Sequence, residues 1–216
     1  MDDVRSRRSP VQNHYVQVMA LATSFTASLP EWAATRPYPS VLATHDDRVA
    51  LTNKLAARNF VEGNGGPFAA IVVDRVTGEL VSVGVNVVLS TKKSSVHAEV
   101  MALSLAQERL GEWDLGASSD QELELVVNWR PCTMCYGALV WSGVKHLVIA
   151  GDGPECENLT GFDEGPMPAD WVAELEKRGI SVTIGVQRDA AVAVFAEYGR
   201  SGATVYNARG TGSRND

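Results

Sequence analysis

The sequence is poor in cysteine and in basic residues. Only three of its 216 residues are cysteines (Cys132, Cys135 and Cys156), and such a small, odd number makes a disulfide framework a poor explanation. Reduced thiols that bind a metal or take part in catalysis fit better, which favours the cytoplasm. The chain has 26 acidic and 19 basic residues and a net charge of −7. This balance argues against a nucleic-acid partner, because such proteins usually present a basic face.

Long hydrophobic runs are missing as well. No segment approaches the roughly 20 apolar residues of a membrane helix. The motif SRRSP (6–10) precedes a moderately apolar stretch (16–29), but Gln, Thr and Ser interrupt that stretch and no clear small-residue cleavage site follows. We therefore expect neither an export signal nor a membrane partner.

The pattern of the remaining chain predicts one α/β domain over residues 43–216, behind an N-terminal extension (1–42) that is rich in proline and carries a short helix at 16–29. Predicted helices cover 46–63, 95–111, 133–143, 169–179 and 189–199. Predicted strands cover 68–74, 79–88, 123–128, 145–151 and 180–186. This order predicts a three-layer α/β/α fold with a central mixed five-stranded sheet and an antiparallel hairpin at one edge.

Two cysteines three residues apart follow a proline in NWRPCTMC (128–135). If a helix begins at Cys132, the thiolates of Cys132 and Cys135 lie at its N-terminus, where the helix dipole favours negative charge. His97, in VHAEV (96–100), also begins a predicted helix. Because open α/β sheets bind ligands at one edge, these junctions can meet there. One nitrogen and two sulfurs suit Zn²⁺ with a fourth position open, which is typical of a catalytic site.

Glu99 lies two residues after His97 and is not needed as a ligand. A carboxylate beside metal-bound water can take its proton and hand it to a leaving nitrogen. The combination H-x-E and P-C-x-x-C is the signature of zinc deaminases. A structural zinc site would need a fourth ligand, but the two nearby residues able to supply one, His146 and Cys156, lack zinc-finger spacing to the cysteine pair. We expect Cys156 to be a loop thiol without function.

The motifs HAE (97–99) and PCTMC (131–135) resemble the cytidine deaminase-like superfamily. Within it, the chain looks most like the bacterial guanine deaminases, which include members that also act on the triazine ammeline. The resemblance covers most of residues 48–209. Further matching segments are GGPFAA (65–70), GVNVV (84–88), CYGALVWSGV (135–144), GFDEGP (161–166), LEKRGISVT (175–183) and YNAR (206–209).

This resemblance implies a zinc-dependent aminohydrolase that acts on a small heterocycle, with guanine the leading substrate. It implies that Glu99 and Glu164 are catalytic, Glu164 as a second proton shuttle. It also implies a homodimer, often with exchanged C-terminal segments, and a C-terminal tail that closes the site. The implied substrate contacts are Phe68 against the base, Asn86 on the ring, Ala98, Asp163 near the amino group, and Tyr206 from the tail.

The chain departs from the resemblance at 128–130, where the family usually has Ser or Thr, a variable residue and Glu. Here the residues are Asn128, Trp129 and Arg130. We expect the large ring of Trp129 to contact the substrate, and Arg130 to bring five fixed donors where the family has an acid. The departure leaves substrate identity open. The alternatives are a specialised triazine, modified purine or nucleoside, a tRNA adenosine deaminase, and a non-catalytic zinc scaffold.

Overall fold

The computed structural model of the protein describes residues 21–208, so the interpretations made for residues 6–10 and 16–20 lie outside the described part. The strands are β1 (Ala69–Asp74), β2 (Leu80–Val85), β3 (Leu123–Val127), β4 (His146–Ile149) and β5 (Ser181–Ile184). The helices are α1 (Glu31–Ala34), α2 (His45–Val61), α3 (Val88–Thr91), α4 (Ala98–Leu110), α5 (Thr133–Ser142), α6 (Glu155–Thr160), α7 (Trp171–Glu176) and α8 (Arg188–Arg200). Within residues 21–208, every helix is too short or too polar to cross a membrane.

The strands form one sheet in the order β2-β1-β3-β4-β5. Strand β1 runs antiparallel to β2 and β3, whereas β3, β4 and β5 are parallel. The side chains of β1 alternate between two apolar clusters, with Ala69, Ile71 and Val73 in one and Ala70 and Val72 in the other. Helices α2 and α8 cover mainly the first face, and α4, α5 and α7 cover the second. The predicted three-layer α/β/α fold with a mixed five-stranded sheet and a hairpin edge is confirmed.

Local signals explain why the longer helices begin and end near their predicted bounds. Helix α2 starts at a capping box, in which Thr44 Oγ1 accepts a hydrogen bond from Asp47 N at 3.1 Å and the Asp47 carboxylate accepts one from Thr44 N at 3.2 Å. Helices α4 and α5 end at Gly111 and Gly143, whose φ angles of 71° and 82° lie in the left-handed region that favours glycine.

The helix predicted over 16–29 was wrong for its described part. Residues 21–30 have no regular secondary structure, and the short helix α1 follows them instead. Pro30 occupies its N-cap position, and proline is tolerated at the entry of a helix but not in its interior.

Two other local predictions also need correction. Strand β2 ends at Val85, three residues before the predicted end, because the side chain of Asn86 accepts a hydrogen bond from Val88 N and turns the chain into α3. Cys156 does not lie in a loop. It is buried on helix α6 together with Thr160, one turn further along, because these two residues share the face that packs toward α8.

Two strand-to-helix junctions lie at one edge of the sheet. Since β1 is antiparallel to both of its neighbours, β2 and β3 point the same way and their carboxyl ends meet at that edge. Strand β2 leads through α3 to α4, and β3 leads to α5. The N-cap residues of these two helices are His97 and Cys132, both with extended backbone. The sheet topology therefore brings the two sequence motifs together.

Candidate metal-dependent active site

Three metal-binding side chains converge at this edge. The ligand atoms of His97, Cys132 and Cys135 all lie within 4.8 Å of one another. His97 Nδ1 is 3.5 Å from Cys132 Sγ. Cys135 is buried in the first turn of α5, and Cys132 is partly buried at its N-cap. Three ligands from two helix N-termini thus enclose one small space.

The donor set fits zinc. Bond lengths of about 2.0 Å to nitrogen and 2.3 Å to sulfur place the two ligand atoms of a tetrahedral site about 3.5 Å apart. The observed separation of 3.5 Å between His97 Nδ1 and Cys132 Sγ agrees with that value. Among the described residues the cluster contains three protein ligands, and neither His146 nor Cys156 joins it. Three ligands leave a fourth position of the tetrahedron for a non-protein group, as in catalytic zinc sites.

The two thiols of this cluster have very different acidities. A hydrogen bond from Cys135 lowers the pKa of Cys132 to about 4, although burial opposes the change. The same contact, together with burial, raises the pKa of Cys135 well above its ordinary value. The pair therefore holds one thiolate at neutral pH without further help. Metal binding requires the second thiol to lose its proton as well, so zinc uptake releases protons.

Glu99 lies in the first turn of α4, beside the metal ligands, and is buried. Burial, reinforced by the negative charge of Cys132, raises the pKa of Glu99 to about 7. A carboxyl group that titrates near neutral pH can both accept and donate a proton under working conditions. This position next to the cluster fits the proton-transfer role predicted for Glu99.

The metal cluster forms one end of a cavity of about 260 Å³. All of the residues predicted to contact the substrate line this cavity, with the exception of Ala98. Ala98 is fully buried in the cluster between α4 and the sheet, with its main-chain oxygen close to Gly84. A role for Ala98 in substrate binding would therefore rest on its main chain, at the N-terminus of α4.

Aromatic rings form the wall of the cavity away from the metal. Phe68 packs edge-on against Phe162, with ring centroids 5.4 Å apart, and Phe162 packs in the same way against Tyr206 at 4.8 Å. Sequence reasoning did not single out Phe162, although it lies inside the matching segment GFDEGP (161–166). Three neighbouring rings give the pocket an apolar, aromatic side that suits a planar heterocycle.

The C-terminal tail contributes Tyr206, Asn207 and Ala208 to the cavity wall. Tyr206 Oη accepts a hydrogen bond from Gly66 N at 2.9 Å. Asn207 is bound twice to the loop after α6: its Oδ1 accepts from Asp163 N at 3.0 Å, and its Nδ2 donates to Gly161 O at 2.8 Å. The tail thus reaches the pocket of its own chain, and these contacts position the loop that carries Asp163 and Glu164.

The loop after α6 brings two carboxylates to the cavity. Asp163 lies at the exposed rim, where its Oδ1 also accepts a hydrogen bond from Gly165 N at 2.9 Å. Glu164 lies deeper, with its Oε1 4.0 Å from the thiol of Cys156. Burial, together with the negative charges of Cys132 and Glu99, raises the pKa of Glu164 to about 8. The site therefore contains two carboxyl groups with raised pKa values, which is typical of proton-transfer chemistry.

Asn86 presents its side chain in a tight corner of the cavity. It is almost fully buried, its Oδ1 accepts from Val88 N at 3.2 Å, and its main-chain oxygen accepts from Asn59 Nδ2 at 2.7 Å. A Cβ atom at Gly65 would lie 2.2 Å from the same Oδ1, so only glycine fits there. These contacts fix the amide in the cavity wall, where it also interacts with the hydroxyl of Tyr206.

The three residues that depart from the family pattern have separate roles in the structure. Asn128 is fully buried and joins two strands, because its Oδ1 accepts from Ala69 N and its Nδ2 donates to Pro67 O, both at 3.0 Å. Trp129 is buried edge-on against Phe195 at 5.1 Å and reaches the cavity wall. Arg130 is partly buried and also lines the cavity.

Comparison with known proteins agrees with this geometry. Residues 43–151, about half of the chain, match the model of the cytidine and deoxycytidylate deaminase zinc-binding region. The chain belongs to the cytidine and deoxycytidylate deaminase family. With the donor set described above, this makes the protein a zinc-dependent hydrolytic deaminase, as the HAE and PCTMC motifs predicted.

Several relatives of this deaminase are guanine deaminases. The solved guanine deaminase from Nitrosomonas europaea is 41% identical, with a TM-score of 0.78 over 84% of this chain and 99% of that one. A relative solved with 2,6-diaminopurine is 43% identical, with a TM-score of 0.79 over 86% of this chain and 98% of that one. The guanine deaminase of Bacillus subtilis is 32% identical over 110 residues, which are 51% of this chain and 65% of that protein.

Proposed function

We propose that the protein hydrolyses the amino group of a free nucleobase, with guanine as the leading substrate. The observation that supports this most is a three-ligand zinc site with Glu99 beside it, at the end of a small cavity walled by aromatic rings. A cavity of about 260 Å³ is slightly smaller than the usual ligand-pocket range of about 300–1,000 Å³, and so suits a base without its sugar. The similarity to solved guanine deaminases adds to this argument.

The metal and Glu99 would act together. His97, Cys132 and Cys135 would hold the zinc ion, which would act as a Lewis acid and lower the pKa of a bound water to about 7. Glu99 takes a proton from the attacking water and delivers it to the leaving nitrogen. Its raised pKa, about 7, suits both steps near neutral pH. Water oxygen replaces the amino group on the ring carbon. One proton of the water completes ammonia as the C–N bond breaks, and the other proton reaches the adjacent ring nitrogen.

Other side chains would hold the base in place. Phe68 and the ring of Trp129 flank the plane, and Asn86 offers amide donors to the ring edge. Glu164 would exchange a proton with the amino group or the ring, with Asp163 near the same end of the cavity. Tyr206 would exclude bulk water by closing the mouth from the tail. Exclusion of water strengthens every hydrogen bond made inside.

A tRNA adenosine deaminase is the second candidate function. The tRNA-specific adenosine deaminase of Bacillus subtilis is 32% identical over 89 residues, which are 41% of this chain and 51% of that protein. The net charge of −7 and the tail over the cavity count against a large polyanionic substrate. Specific tRNA binding that weakens steeply with salt would favour this candidate over a free base.

The proposal extends to the organisation of the protein. Residues 43–216 would form the deaminase domain and residues 1–42 an extension, in agreement with a family match that begins at 43. The protein would act in purine metabolism in the cytoplasm, and it would have no nucleic-acid partner. It would form a homodimer, as the resemblance to bacterial guanine deaminases implies, with or without exchange of the C-terminal segments.

The direct test is ammonia release by the zinc-loaded protein with guanine, ammeline, 8-oxoguanine, guanosine, adenine, cytosine and cytidine. The proposal predicts turnover of guanine well above that of cytidine and guanosine. Turnover of ammeline or 8-oxoguanine without turnover of guanine would mean that the enzyme carries out the same deamination on a different substrate. Absence of turnover with every compound, in protein that holds one zinc per chain, would contradict the proposal and favour a scaffold role.

A further inference from the structure

Two arginines lie beside Trp129, and their partners differ. The guanidinium of Arg188 lies over the ring of Trp129, 5.0 Å from its centroid, and forms an ion pair with Glu155. Arg130, the next residue after Trp129, has no ion pair and no side-chain hydrogen bond among residues 21–208, and its Nε is buried without a partner. The guanidinium of Arg188 is therefore paired with a carboxylate, whereas that of Arg130 has no such partner among residues 21–208.

Arg130 differs from its surroundings in charge as well. It is the sole lysine or arginine among the described residues that line the cavity, whose wall also carries Glu99, Asp163 and Glu164. Neither Glu99 nor Glu164 forms an ion pair with it. Arg130 Nε is sealed from the cavity, but the two terminal nitrogens are not buried and have no hydrogen bond or ion pair with residues 21–208. These nitrogens are therefore the donors that remain for a ligand in the cavity.

The main chain fixes where this side chain begins. Arg130 N donates to Gly151 O at 2.8 Å, which ties the residue to the end of β4. A Cβ at Gly151 would approach the ring of Trp129 to 2.7 Å, so the wall is closely packed at this point. Cys132 follows two residues later and belongs to the metal cluster. Arg130 is thus held at a fixed place on the wall.

The planar guanidinium selects the chemistry of the missing partner. Its donors form a rigid fork that matches two adjacent acceptors. A purine with an oxo group has such a pair in O6 and N7, which is the edge that arginine contacts most often in guanine recognition. That edge is far from the C2 amino group that hydrolysis removes. The contact would therefore select the base without taking part in the reaction.

We propose that Arg130 is a specificity-determining residue that donates two hydrogen bonds to the O6 and N7 acceptors of an oxopurine substrate. This rests on the proposed deamination of guanine. The proposal gives a role to Arg130, where the sequence departs from the family pattern. Its contact would favour bases that have both an oxo group and an adjacent ring-nitrogen acceptor over bases that lack one of them.

The test compares guanine with 7-deazaguanine, in which a carbon replaces N7 and the amino group is unchanged. Wild-type protein should prefer guanine in kcat/KM by roughly 10-fold or more, since a bidentate arginine contact discriminates at that level. In Arg130→Gln the preference should fall toward one, through a higher KM for guanine, because the contact binds ground state and transition state alike. Arg130→Lys keeps the charge without the fork, and its preference should fall by roughly three-fold or more.

Arg178→Gln is the matched control, because Arg178 is exposed and pairs with Glu174 on α7, outside the cavity lining. It should keep the wild-type preference. Equal losses for guanine and 7-deazaguanine in the folded, zinc-loaded Arg130 variants would overturn this inference and leave the proposed function standing. If Arg130→Gln does not fold, the Lys variant carries the same comparison. Absence of guanine turnover in the wild type would overturn the proposed function and this inference together.

Discussion

The two ends of the cavity are built in different ways. At the metal end, three ligands and Glu99 come from the first turns of α4 and α5, and each pair is close in sequence. At the other end, the wall combines segments from β1, the loop after β3, the loop after α6 and the C-terminal tail. The metal end thus depends on local motifs at helix N-termini, whereas the substrate end depends on long-range packing.

The largest effect is expected from removing a ligand at the metal end. Cys135→Ala leaves two protein ligands, so zinc should be lost and deamination should fall to background, as measured by metal content and ammonia release. Cys156→Ala is the control, because Cys156 is a buried thiol outside the cluster and its loss should leave zinc content unchanged. Full zinc occupancy in Cys135→Ala would mean that the ligand set is wrong.

Glu99→Gln should separate chemistry from metal binding. The amide cannot transfer protons, so we expect turnover to fall by roughly 10²–10⁴-fold while zinc stays at the wild-type level. Glu108→Gln, on an exposed position of the same helix α4, should behave like the wild type. Full activity of Glu99→Gln would show that another group transfers the proton.

Glu164→Gln tests the substrate end of the cavity, where we expect a smaller loss of turnover, on the order of 10–100-fold.

The same substitution should also change the thermal stability of the protein. The pKa of Glu164 is about 8 in the folded protein, whereas its ordinary value is 4.5. The folded state therefore becomes less stable as pH increases from 4.5 to about 8. The variant removes this cost, so its melting temperature at pH 8–9 should exceed that of the wild type by a few degrees. The control Glu176→Gln, at an exposed position of α7, should show neither change.

Tyr206→Phe should give the smallest effect. It removes the hydroxyl that accepts from Gly66 N but keeps the ring packed against Phe162. One neutral hydrogen bond contributes about 0.5–1.5 kcal/mol, so KM for the base should increase by roughly 2–10-fold with kcat nearly unchanged. A fall in kcat without a change in KM would contradict a role for the tail in closing the pocket.

This difference between the two ends explains what sequence reasoning could predict. The sheet, its hairpin and the metal cluster follow from periodicity and from motifs at two junctions, and His97, Cys132 and Cys135 lie where those patterns place them. The role of Asn128 could not be foreseen, because its bonds to Ala69 and Pro67 cross about 60 residues of chain. Phe162 was missed for the same reason, since its ring partners come from β1 and the tail.

X-ray absorption at the zinc edge of the wild-type protein would show directly whether the metal site is open. We expect two sulfur ligands at about 2.3 Å and one imidazole nitrogen at about 2.0 Å, with the remaining position filled by a light atom that exchanges with added ligand. A third sulfur from Cys156, or a second imidazole, would mean a closed structural site. That result would contradict a catalytic role for this metal centre.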